Sequence, residues 1–296
     1  MALVLLALPA LLPAHAPAQE LEPRAYSPSP VGANFLILSY ARSAGDVIFD
    51  PSLPFSDVKA AVNSAVLAYG RVFGLCGRSA SAAVLAPYAW GSMSGNVAEQ
   101  FRSIERAGPA DLRTRLVVNL LGGPALSPRE FAQRRPRTTL GTSLLVVVPT
   151  GQYDPAKLIN ISANRWAVKP ELGLSHPVGR FTLETYAGVW LFTDNADFYG
   201  GSRREQAPLT ALQAHVGYTF KPRLWLAGDA TYYAGGHTTL DGVEKQDRQE
   251  SSRLGLTLAV PIGRRFSLKA SWATGVAARV GGDFDTFGLA GQFLWF

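Results

Sequence analysis

The chain has 296 residues, of which 47% are hydrophobic and only 17% charged, with a mean hydropathy of +0.08. Water-soluble domains carry about a quarter charged residues, so much of this surface faces something other than water. Beyond the N-terminus no stretch reaches the about eighteen uninterrupted apolar residues of a helical membrane span. The charge of +6 comes from Lys+Arg 28 against Asp+Glu 22 scattered along the chain, which argues against nucleic-acid binding. The single Cys76 excludes an internal disulfide framework and a multi-cysteine zinc site.

Residues 1–18, MALVLLALPALLPAHAPA, read as a signal peptide. The apolar run Ala2–Leu12 is too short to span a bilayer, and Ala16-Pro17-Ala18 supplies a small-x-small cleavage signal, although no Lys or Arg precedes the run. Residues 19–33 form a Pro-rich, extended approach, taken as a periplasmic N-terminal extension. From residue 34 to 296 the pattern becomes about twelve runs of alternating hydrophobicity separated by turn signals, as barrel strands require. The runs centre on 34–42, 58–73, 81–93, 110–121, 138–149, 164–175, 181–193, 207–220, 223–234, 251–262, 265–277 and 284–296.

Alternation is cleanest in the later runs. Leu254, Leu256, Leu258, Val260 and Ile262 share one face opposite Arg253, Gly255 and Thr257, while Phe266, Leu268, Ala270 and Trp272 oppose Lys269 and Ser271. A helix would mix these sets and a pleated strand separates them, so the apolar set is expected to face lipid. Connections alternate between tight (176–180, 221–222, 263–264) and long (43–57, 95–108, 151–163, 194–206, 235–250). Short turns on one rim and long loops on the other are the outer-membrane arrangement, with the short side periplasmic. Residues 122–137 break the rule, and Ser127-Pro128-Arg129-Glu130 predicts a capping box and a short helix ending before Pro136. The expected fold is therefore all-β: a transmembrane antiparallel up-and-down barrel of about twelve strands, exported to the outer membrane of a Gram-negative bacterium. A soluble two-sheet sandwich is the structural alternative.

The last run, FDTFGLAGQFLWF, has no charge after Asp285 and presents an edge that needs a partner, which the run near Asn34–Arg42 supplies. Phe296 is expected to act as the signal read by the barrel-assembly machinery. Facing is ambiguous in this run. Gln292 interrupts one parity, and Phe287, Phe293 and Trp295 on the other are assigned to the inside.

Candidate chemistry is sparse. No metal-ligand cluster or nucleotide-binding loop occurs, so no cofactor and no metal are expected. His215, on the same parity as Gln213, is the best candidate for a catalyst, in a membrane enzyme acting on lipids; its plain reading is a lumen-facing polar residue. The inner parity gathers Asp111, Arg113, Arg115 and Asn119 on the fourth run, Lys169 and Glu171 on the sixth, Glu184, Tyr186, Trp190 and Phe192 on the seventh, Trp225, Asp229 and Tyr233 on the ninth, and Lys269 on the eleventh. A Lys or Arg costs roughly 2–4 kcal/mol on the lipid side near the midplane, so the charged residues belong inside, where pairs such as Lys169 with Glu184 are expected. Aromatics with a few polar groups suit small apolar or aromatic molecules, and equally fill a narrow barrel.

The run PTGQYDPAKLINISANRWAVKPELGLSHPVGRFTLETYAGVWLFTDNADFYGG, then QAPLTALQAHVGYTFKPRLWLAGDATYYAGG, and the opening EPRAYSPSPVGANFLILSYARSAGDVIFDPSLP resemble the outer-membrane transporter family of phenol and aromatic degradation (the MetA pathway). The resemblance covers nearly all of the mature chain and includes Asn164, Arg165, Trp166, Lys169, Pro170 and Glu171, without assigned roles. It implies a porin-like barrel in contact with outer-membrane lipid, passing small hydrophobic or aromatic solutes passively and without catalysis. The alternatives are a lipid-modifying enzyme and a structural or adhesive barrel without a solute path.

Overall fold

A computed structural model describes residues 22–48, 55–97 and 100–296; the signal peptide expected at 1–18 lies outside the described residues. The strands are β1 (Asn34–Ile48), β2 (Phe55–Leu75), β3 (Arg78–Val97), β4 (Gln100–Pro109), β5 (Leu112–Leu121), β6 (Thr139–Val148), β7 (Ala167–Val178), β8 (Phe181–Phe192), β9 (Asn195–Phe198), β10 (Ser202–Gln206), β11 (Leu209–Lys221), β12 (Leu224–Gly235), β13 (Thr238–Leu240), β14 (Val243–Glu244), β15 (Gln249–Ile262), β16 (Phe266–Ala278) and β17 (Gly281–Trp295). One 13-stranded antiparallel sheet closes on itself through the β2–β3 and β1–β17 pairings. Its wall is a closed 12-strand barrel, because β4 and β5 lie end to end along β3: Gln100–Pro109 pairs with its upper half and Arg113–Val118 with Ala80–Leu85. Closure leaves the twelve-strand wall itself without an edge, while β4 stands as an edge strand along the upper half of β3.

The outer face follows from the alternation. Leu254, Leu256, Leu258, Val260 and Ile262 are exposed, as are Leu172, Leu174, Leu212 and Val216, and their cross-strand neighbours carry the same apolar parity around the wall. Aromatics mark two belts. Near the short turns, Phe181 meets Tyr218 at 5.0 Å and Phe293 lies between Phe266 (4.7 Å) and Trp295 (5.5 Å). Near the long loops, Tyr40 and Tyr88 flank Trp90 at 6.1 and 6.2 Å. Aromatic girdles at both interfaces bound the apolar band of an outer-membrane barrel. Replacing Leu256, half exposed in mid-strand, by Arg is expected to cost roughly 2–4 kcal/mol, read as a shift of the urea midpoint of the lipid-reconstituted barrel.

This geometry corrects the facing of the last strand. Phe35 and Ile37 sit opposite Leu294 and Gln292 on the inner side, so Phe287, Phe293 and Trp295 point outward, with Phe287 62% exposed. The parity of Phe287, Leu289, Phe293 and Trp295 is the bulkier, and register against β1 turns it outward. Phe296 lies exposed just beyond β17.

At the short-turn rim, Cys76 and Gly77 take positive φ (49° and 73°) in the two-residue β2–β3 turn, which matches the twist of a tight hairpin. The expected helix is α1 (Pro128–Gln133), with both capping-box bonds between Ser127 and Glu130 present. At the other rim the long connections are more ordered than loops: β1 to β4 extend as tall hairpins, and β9, β10, β13 and β14 form a second sheet that joins two connections through the β10–β13 pairing.

A second correction concerns the segment before β1. Residues 22–33, within the span expected to be a periplasmic extension, lie against the inner wall of the barrel. Tyr26 is fully buried, its hydroxyl hydrogen-bonded to Glu171 at 2.8 Å and 3.0 Å from the Ser143 hydroxyl. Gly141 and Gly173, directly paired across β6 and β7, make its slot: a Cβ at Gly173 would lie 2.0 Å from the ring and one at Gly141 2.4 Å. The Arg24 amide donates to Glu184 (2.7 Å) and its guanidinium covers the Trp225 ring at 4.7 Å. The segment is polar and short, and its backbone and side chains satisfy inward polar groups that the narrow barrel would otherwise leave bare.

Candidate functional site

The inner face of β5 to β12 is layered. Nearest the short turns, Trp225 packs with Ala227 and Ala259. Above it lies a polar layer. Glu184 is 3% exposed and His215 1%; His215 Nδ1 donates to Asp229 at 2.7 Å, and the Thr257 hydroxyl donates to the other oxygen of the same carboxylate at 2.7 Å. These residues meet because β8, β11, β12 and β15 are successive neighbours, with Glu184 opposite His215 and His215 opposite Asp229.

Glu171 is the hub of the adjoining wall. Its carboxylate accepts from Tyr26, from Lys169 Nζ (2.9 Å), from Gln213 Nε2 (3.2 Å) and from Arg115 (3.4 Å), and Arg115 also binds Glu22 of the N-terminal segment. With these donors the buried carboxylate has its hydrogen-bonding capacity met inside the protein. Lys169 therefore pairs with Glu171 rather than with Glu184, correcting the expected pair. Register is the cause, since Ser175 sits opposite Glu184 and Lys169 lies nearer the long-loop end. Arg113, Arg115, Lys169, Glu171, Tyr186 and Gln213 surround a cavity of about 60 Å³ with Glu22.

Towards the long loops the wall becomes apolar: Trp190 and Tyr233 pack with Val147, Ala167, Leu209 and Ala211. Phe192 stacks on Trp190 (6.3 Å, 9° between planes), and Lys169 Nζ lies 5.4 Å from the Trp190 ring centre. Asn119 is buried lower on β5, beside the larger cavity of about 210 Å³ between the N-terminal segment and the β1, β2, β3, β5 and β17 wall. Lys269 is half-buried on β16.

The alternation pointed to neither the N-terminal participants Glu22, Arg24 and Tyr26 nor Ser143 and Arg204 of β10, and it placed Thr257 on the inward parity without marking it as a site residue. The signal for Tyr26 was the pair of inward glycines, whose opposition is visible only once β6 and β7 are in register.

A closed antiparallel barrel, apolar and aromatic-belted outside and polar and aromatic inside, is the fold of an outer-membrane β-barrel protein. The solved COG4313 outer membrane channel from Pseudomonas putida F1 has this fold, with 22% identity and a TM-score of 0.79 over 93% of this chain and 100% of that one. The transport unit of the autotransporter AIDA-I from Escherichia coli (10% identity, TM-score 0.49, 89% and 90% covered) and the CymD monoaromatic hydrocarbon channel (8%, 0.45, 90% and 89%) are similar in outline. No curated protein matches by sequence. Residues 42–290 match the family described as "Putative MetA-pathway of phenol degradation", and the chain belongs to that family.

Proposed function

We propose that the protein is an outer-membrane channel for passive passage of small hydrophobic or aromatic compounds. The observation that carries this reading is the inner wall of β7 to β12, where Tyr186, Trp190, Phe192, Trp225 and Tyr233 alternate with buried polar groups. Such a wall offers planar solutes apolar contact at little desolvation cost, and a few polar groups to orient them. Family membership and the channel fold support it. Arg113, Arg115, Asn119, Lys169, Glu171, Glu184, Tyr186, Trp190, Gln213, His215, Asp229, Tyr233 and Lys269 line the proposed path. Around the N-terminal segment the route runs through the cavity beside Phe35, Ile37 and Gln292. Residues 1–18 direct export, and the β17 strand with Phe296 is read by the assembly machinery.

Deleting the gene and following labelled toluene and phenol at limiting concentration tests the reading: uptake is expected to fall several-fold and to recover on complementation. Unchanged uptake across a broad aromatic panel would sink it. One observation favours a lipid-modifying enzyme instead, the Thr257–Asp229–His215 chain, which resembles a base with its orienting carboxylate. His215 is almost fully enclosed, and the channel reading assigns the chain to holding β11, β12 and β15 together. Loss of a hydrolase or acyl-transfer activity in His215→Ala would reverse that assignment.

A further inference from the structure

Two arginines at the long-loop end stand out from the polar network. Arg165, in the loop entering β7, is 4% exposed, and Arg204 of β10 is 8% exposed. Each guanidinium lies over an aromatic ring, Arg165 over Phe192 at 4.5 Å and Arg204 over Phe198 at 5.2 Å. Arg165 Nη2 donates to Gln206, but its buried Nε and Nη1 have no acceptor among the described residues. Burial, with Arg204 close by, pushes Arg165 down to about 9, so it remains charged at neutral pH.

Nearby acids leave these Arg165 donors unmet. Asp194 acts on Arg165 from a distance but is bonded to Arg203, while Asp247 acts on Arg204, which contributes the second positive charge. A buried guanidinium with unmet donors beside a second cation is unfavourable alone, and an incoming anion relieves both costs. Below Arg165 the Phe192–Trp190 stack leads down to Lys169. An apolar ring would lie along that stack with its anionic group at the arginines.

We propose that Arg165 and Arg204 form a recognition site for the carboxylate of an aromatic monoanion at the outer mouth of the barrel. The site rests on the channel reading and narrows its solutes to aromatic acids. A guanidinium fork matches a carboxylate in two parallel hydrogen bonds, whereas a neutral aromatic leaves the donors unmet.

Titration calorimetry on the purified full chain in detergent micelles, with benzoate, benzyl alcohol and acetate as probes, tests the site. Benzoate is expected to bind more tightly than either other probe. Arg165→Gln is expected to lower the benzoate-to-benzyl alcohol affinity ratio about tenfold or more, with Arg204→Gln in the same direction and Arg165→Lys intermediate. Heat-modifiable migration identifies folded variants, and Arg165→Lys keeps the test open should Arg165→Gln not fold. An unchanged ratio in a folded Arg165→Gln, or equal binding of benzoate and acetate to the parent protein, would overturn the proposal. Benzoate binding with unchanged cellular uptake of aromatics would keep the site and remove the channel reading.

Discussion

Gly173→Val is expected to expel Tyr26 from its slot, raising single-channel conductance in planar bilayers several-fold and opening the N-terminal segment to protease. The Cβ it adds would lie 2.0 Å from the Tyr26 ring, an overlap that no rotamer change relieves, so one of the two partners must move. β7 is held by backbone ladders to β6 and β8, whereas Tyr26 is held by its hydroxyl contacts with Glu171 and Ser143 and by edge contact with Tyr186 at 4.9 Å. A hydrogen bond to a charged group contributes about 1.5–3 kcal/mol, less than the cost of breaking a ladder inside a membrane. The segment therefore yields and the barrel stays intact. Gly228→Ala, where an added Cβ meets nothing within 4 Å, is the matched control. Unchanged conductance and protease pattern in Gly173→Val would show that the segment does not obstruct the lumen.

Glu171→Leu is expected to destabilise the barrel by about 3–5 kcal/mol, because it takes a shared carboxylate away from two cations, buried Lys169 and half-buried Arg115, rather than merely removing neutral bonds. Lys169 loses the Glu171 carboxylate at 2.9 Å, Arg115 retains Glu22, and the Tyr26 and Gln213 donors lose this acceptor. The midpoint of heat-modifiable unfolding reads the loss. Glu171→Gln keeps an acceptor for Tyr26 and is expected to fall between the parent and Glu171→Leu. Adding Lys169→Met to Glu171→Leu is expected to recover part of the loss, since it removes a buried charge that has lost its Glu171 carboxylate. Equal midpoints for Glu171→Leu and the parent would mean that the hub is hydrated and its charges are screened.

The Leu ladder of β15 and the Phe266–Trp272 face of β16 showed their facing before any neighbour was known, because a pleat alternates sides with period two and lipid tolerates no charge. The same parity rule brought Lys169, Glu171, Gln213, His215 and Asp229 to one face of the wall, and local capping chemistry was enough for α1.

Questions of partner were beyond it. Lys169 and Glu184 share a side, but only the β7–β8 register shows that they do not meet. β17 carries its bulky aromatics on one parity, but bulk suits a lipid belt as well as a lumen, so its facing waited for the register against Phe35 and Ile37. Residues 22–33 have no periodicity, and a polar Pro-rich segment suits water as well as a polar lumen. Periodicity is local, a property of each strand and its solvent, and to that extent the amino-acid sequence alone determined a membrane barrel with a polar interior. What fills that interior depends on groups such as Tyr26 and Glu171, 145 residues apart, which only closure of the barrel brings together.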